Sequence, residues 1–72
     1  MSSPIAILIE DEPQIRRFVR AALEGEGWQV FESDTAQRGL VEVGTRKPDL
    51  LIVDLGLPDV DGLEVIRDVR GW

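Results

Sequence analysis

The residues best suited to chemistry in this chain are carboxylates at two places far apart in the sequence. Glu10, Asp11 and Glu12 follow a continuous apolar run, Ile5-Ala6-Ile7-Leu8-Ile9. Asp54 follows a second apolar run, Leu50-Leu51-Ile52-Val53, and leads into Gly56, Pro58, Asp59, Asp61 and Gly62. An acid at the end of a buried strand needs a reason, and open α/β sheets bind ligands at that edge. Two chemistries fit. Carboxylates held close together repel, and an oxygen-seeking cation such as Mg²⁺ relieves the repulsion. An aspartate can also accept a phosphoryl group, a transfer that depends more on positioning and charge neutralisation than on covalent help. Glu10–Glu12 has a simpler account as well: acids favour the positive end of a helix, and Pro13 suits a first helical turn. That account explains one or two acids better than three.

The elements that must position these acids can be read in order. Residues 5–9 and the run from Leu50 read as strands buried on both faces, as in a parallel sheet. A helix is predicted over 13–24, because Ile15, Phe18, Val19, Ala22 and Leu23 form one apolar stripe. Gly25 and Gly27 end it. Arg16, Arg17 and Arg20 lie off the stripe, on a solvated face or a docking surface. Residues 28–32 alternate and predict a short edge strand, with Trp28 in core or edge packing. Ser33, Asp34 and Thr35 are helix-capping types. A second helix over 35–45 turns Ala36, Gly39, Leu40, Val43 and Gly44 inward, the small residues implying close approach to the sheet. Residues 46–49 form a turn before the third strand. After the 59–62 loop a third helix begins, with Asp61 as its cap and Leu63, Ile66 and Val69 facing inward.

This β-α-β-α-β-α order predicts a doubly wound parallel sheet with right-handed crossovers. The first strand is wholly apolar and the second is not, so the strand order is 2-1-3. Strands 1 and 3 are then neighbours about 4.8 Å apart, and Asp11 and Asp54 converge within reach of one cation. Two carboxylates, one backbone carbonyl and waters suit Mg²⁺. The Gly56 carbonyl, two residues past Asp54, is placed to be the third protein ligand.

Composition removes several other functions. The 72 residues allow one domain, and a domain of this size buries only about 60% of its unfolded surface. With no Cys there is no disulfide or thiolate metal site, which suits a reducing cytoplasm, and with no His there is no phosphohistidine donor within the chain. A net charge of −6 argues against nucleic acid as a partner of this segment. The apolar runs are far too short to span a membrane, and no signal peptide is apparent.

Ile9-Glu10-Asp11-Glu12, Ile52-Val53-Asp54, Pro58 and Gly62 together resemble the receiver domain of bacterial two-component response regulators. The likeness runs over essentially the whole chain. Three stretches are similar to the branch of the family that regulates potassium uptake: 15–18, 22–25 and 45–50. The resemblance implies a flavodoxin-like fold and Asp54 as acceptor of a phosphoryl group from a sensor histidine kinase. It further implies Asp11 as a direct Mg²⁺ ligand, Glu10 assisting through water and Gly56 giving its carbonyl. A receiver of this kind is a phospho-acceptor rather than an enzyme, and is cytoplasmic. Glu10 stands where many relatives have Asp, and Leu57 where many have Met.

Receivers have five strands and five helices, so residues 1–72 read as an incomplete receiver. The hydroxyl switch residue, the lysine that pairs the acceptor, and the DNA-binding output domain of the full-length regulator are not among them. Strand 3 then becomes a long apolar edge, which predicts a homodimer or a segment-swapped oligomer. The alternative reading is a signalling-inactive fragment whose main property is self-association through that edge. Two other sites are disfavoured. A haloacid-dehalogenase-type phosphatase wants an acid at Gly56, and a calcium loop wants an acid at Leu57 and Glu at Asp68.

Overall fold

The computed structural model describes residues 3–54 and 56–70. Leu55, within the stretch read as the acceptor loop, lies outside them. The element order is β1 (Ile5–Ile9), α1 (Pro13–Gly25), β2 (Gln29–Ser33), α2 (Ala36–Arg46), β3 (Leu50–Val53) and α3 (Gly62–Arg70). The three strands form one parallel sheet in the order β2-β1-β3, as the strand polarity predicts.

The apolar residues of β1 explain its central place. Its side chains alternate between two cores, and both are fully covered. Ile7 and Ile9 pack with Ala36, Val43, Leu57 and Val65 on the face carrying α2 and α3. Ala6 and Leu8 pack with Val30 on the other face, against Val19 and Leu23 of α1 and against Trp28. Trp28 is thus core packing, as expected. β2 is shifted one residue later than the alternation suggested, because Gln29 is the residue that pairs with Ile5, and Trp28 belongs to the turn, donating its N–H to the Leu23 carbonyl. The turn itself is made by Gly27, whose φ of 91° favours glycine.

α2 lies as close to the sheet as its small residues imply. A Cβ at Gly39 would overlap the side chain of Ile9, so only glycine lets the helix settle there. Gly44, expected inward, is exposed. The two other helices depart further from the predicted stripes. In α1 no residue is fully buried: Val19 and Leu23 face the core, whereas Ile15, Phe18 and Ala22 are exposed, Phe18 to 77%. The helix packs on one side only, so half of its stripe has nothing to cover it among the described residues. In α3 the buried residues are Gly62 and Val65, with Val69 half-buried; Leu63 and Ile66 are exposed. Asp61 does cap α3, accepting the Leu63 N–H at 2.9 Å.

Candidate phospho-acceptor and metal site

The register explains how acids 44 positions apart meet. Ile9 is the partner of Val53, so Glu10 and Asp54 are the next residues along adjacent parallel strands and leave the sheet side by side. Backbone hydrogen bonds hold this end of the sheet on both sides of β1. The Asp54 N–H donates to the Ile9 carbonyl at 2.8 Å, and the Glu10 N–H donates to the Ser33 carbonyl at 3.0 Å. Glu10, Asp11 and Asp54 then present carboxylate oxygens that all lie within 4.8 Å of one another. Glu10 is buried, Asp54 half-buried and Asp11 exposed, so the cluster opens to solvent on the Asp11 side.

The three consecutive acids take different positions. Glu12 is the N-cap of α1, its carboxylate accepting the Gln14 N–H at 3.1 Å. Helix capping therefore accounts for Glu12 and leaves Glu10 and Asp11 to the cluster. The Glu10 carboxylate accepts the Glu12 N–H at 3.2 Å, which turns it back toward the loop.

The electrostatics differ across the pair. Burial pushes the Glu10 carboxyl above its ordinary value, and the neighbouring Asp54 carboxylate adds to this against the opposing Glu12 N–H bond. Asp54 moves the other way. The Gly56 N–H, 3.1 Å from its Oδ1, stabilises the carboxylate first, and the Glu10 side chain second. The arrangement is an all-oxygen donor set of crowded carboxylates, which fits a hard cation such as Mg²⁺ and has no ligand for a soft one. Gly56 lies next to the cluster as an exposed turn residue, tied to it through its N–H.

Two residues matter here that sequence reasoning did not single out for this site. Arg16, read as solvated or docking, turns inward: its Nη1 donates to the Glu10 carbonyl at 2.9 Å, and its Nε lies 3.7 Å from Glu32. Arg20 joins it at Glu32, 3.4 Å away. The only sequence signal was that Arg16 falls one turn into a helix beginning at the acids. Asp59, seen only as part of a loop, spans back to α2. Its two oxygens accept the Ala36 and Gln37 N–H groups, each at 2.9 Å. Its partners lie 22 and 23 residues away, beyond any local pattern, although an Asp in a loop that returns to a helix start is the type that would do this.

Comparisons with known proteins agree with this fold. The response regulator receiver domain family matches residues 6–72. The chain is 65% identical over 66 residues to the KDP operon transcriptional regulatory protein KdpE of Escherichia coli, covering 92% of this chain and 29% of that protein. It superposes with a TM-score of 0.91 on a CheY-like response regulator receiver domain from Methylobacillus flagellatus, at 28% identity over 99% of this chain and 60% of the other. It also matches, with a TM-score of 0.88 and 28% identity over 94% of this chain and 59% of the other, a chain of the crystal structure of histidine kinase ThkA in complex with response regulator protein TrrA. The chain thus spans less than a third of the curated relative. Among the described residues no helix is long and apolar enough to cross a membrane. With the matched segment running through all three β-α units and the acid cluster at their head, the chain belongs to the response regulator receiver domain family, on its KdpE-like side.

Proposed function

We propose that Asp54 accepts a phosphoryl group from a sensor histidine kinase, with Mg²⁺ held by Glu10, Asp11, Asp54 and the Gly56 carbonyl. The observation that carries this reading is the convergence of the three carboxylates within 4.8 Å at the end of β1 and β3. Bound there, the cation would offset the charge of the carboxylates and of the incoming phosphoryl oxygens. The chain's own residues do the rest. The Gly56 N–H keeps Asp54 ionised, as a nucleophile must be. The Ile9 carbonyl fixes the Asp54 backbone, and Arg16 and the Ser33 carbonyl fix that of Glu10. One Asp54 oxygen forms the new bond to phosphorus as the bond to the donor breaks, so the chain is an acceptor rather than a turnover enzyme.

The KdpE likeness supports a place in a transcriptional regulator of potassium transport, working in the cytoplasm, and the kinase complex among the structural matches supports the partner class. The test is incubation with a small acyl phosphate and Mg²⁺, read by intact mass. A gain of one phosphoryl group is expected, lost in Asp54→Ala and in the presence of chelator. No gain in the unsubstituted chain, or the same gain in Asp54→Ala, would count against the reading.

A second reading has its own observation. β3 is an edge strand of four apolar residues, each only half-buried. That supports self-association as the main property of this segment, with phosphorylation absent.

A further inference from the structure

We propose that Asp59 is a positioning residue for the acceptor site: by binding the first turn of α2 it fixes Asp54 and Gly56 and so sets the affinity for Mg²⁺. The proposal rests on the reading of Asp54 as the centre of a metal-dependent acceptor site.

Among its described residues the route from Asp54 to α3 carries no regular secondary structure, yet it closes a ring of contacts. At one end the Asp54 N–H is bonded to the Ile9 carbonyl. Leu57 is buried against Ala36, Val43 and Val65. Two residues later the Asp59 carboxylate takes the Ala36 and Gln37 N–H groups, one oxygen to each, at 2.9 Å. Ala36 is fully buried, and one turn on Gly39 is pressed against the side chain of Ile9. The ring therefore runs from Ile9 to Asp54, along the loop to Asp59, into α2 and back to Ile9. Asp54 and Gly56, the latter holding the Asp54 carboxylate through its N–H, are links in that ring.

Helix capping alone does not require this contact. Free N–H groups at a helix start need acceptors, and Thr35 already supplies one, its Oγ1 accepting the Arg38 N–H at 3.3 Å. Asp59 adds two charge-assisted bonds from a different part of the chain. What it adds beyond capping is the tie between loop and helix. The same two amides hold the Asp59 carboxyl below its ordinary value, so the tie is intact at neutral pH.

Thr35 supplies the control, since Thr35→Ala and Asp59→Ala each remove a cap of α2 but only the second releases the loop. Each chain is titrated with MgCl₂ alone by calorimetry, with far-UV circular dichroism at the same temperature to establish that it is folded. Asp59→Ala is expected to bind Mg²⁺ about tenfold more weakly, the lower end of what losing an orienting partner of a metal ligand does. Thr35→Ala is expected to melt at a lower temperature with unchanged affinity. Asp59→Asn, which keeps one accepting oxygen, should fall between Asp59→Ala and the unsubstituted chain. Should Asp59→Ala unfold, the Thr35→Ala and Asp59→Asn titrations decide. The proposal is overturned if Asp59→Ala or Asp59→Asn binds as the unsubstituted chain does, if Thr35→Ala loses as much affinity as Asp59→Ala, or if Asp59→Asn loses as much. Failure of the unsubstituted chain to bind at all would overturn the metal-site reading, and this proposal with it.

Discussion

Glu10, Asp11 and Glu12 are adjacent in the chain and separate in role. The strand continues far enough for Glu10 to leave the sheet beside Asp54, and the helix begins early enough for Glu12 to cap it. Asp11, between them, joins the cluster from the solvent side. Asp59 shows the same principle over a longer range, and its energetics are open to measurement through pH. Its folded pKa is depressed by the Ala36 and Gln37 amides. A depressed carboxylate pKa gives stability that is present above the unfolded value, about 3.9, and lost as pH falls through the folded value. Asp59→Asn should therefore be less stable than the unsubstituted chain at neutral pH, and the difference should shrink as pH drops below about 4. Urea melts of both chains across that range measure it. A difference that stayed constant with pH would mean the charge on Asp59 does not carry the tie. The acids at strand ends were legible because apolar runs announce where strands stop. Asp59 was not, because its bond is to a helix start more than twenty residues earlier.

For the elements, the existence and order of strands and helices follow from periodicity, while the phase of two helices does not. In α3 the large apolar residues Leu63, Ile66 and Val69 draw the eye, yet the helix turns Gly62, Val65 and Val69 to the core. Glycine carries no hydrophobic signal, so a stripe that begins on Gly62 is invisible in composition. The difference is testable with single substitutions. Val65, fully buried against Ile7 and Ile9, should cost about 2 kcal/mol or more as Val65→Ala, the loss of two methyl groups and a cavity. Leu63, which is 52% exposed, should cost about 0.5 kcal/mol or less as Leu63→Ala. Thermal melts separate the two, since about 1 kcal/mol moves the midpoint of a domain this size by roughly 4–8 °C. Equal effects would restore the inward stripe of Leu63 and Ile66. The sheet order was more secure, because β2 carries the polar residues Gln29, Glu32 and Ser33 and so belongs at an edge, while β1 is apolar at every position and is covered on both faces.

For the molecule as a whole, shape and charge act against one another. The fold is thin, 32 × 29 × 14 Å, and the fully buried residues cluster on β1 and the helices directly over it. β3 runs along one edge of the sheet, and its outer side meets no further strand among the described residues. Unpaired N–H and C=O groups on an apolar edge favour pairing with another chain. A second copy is the partner always present, but each copy carries a net charge of −6, and like charge opposes the approach. No charged residue lies within Leu50–Val53, so an edge-to-edge contact there contains no ion pair for salt to weaken. Asp49 and Asp54 flank the strand and would repel their counterparts. Salt should therefore promote association rather than disperse it. Raising ionic strength from about 0.01 M to about 1 M shortens the screening length from about 30 Å to about 3 Å. Sedimentation equilibrium over that range should show the monomer giving way to dimer or larger species as salt increases, more so at higher protein concentration. A chain that stayed monomeric throughout, or that associated at low salt and dispersed at high salt, would rule out pairing driven by this apolar edge. The second pattern would point instead to contacts between opposite charges, for which exposed arginines such as Arg17, Arg38, Arg67 and Arg70 are available donors.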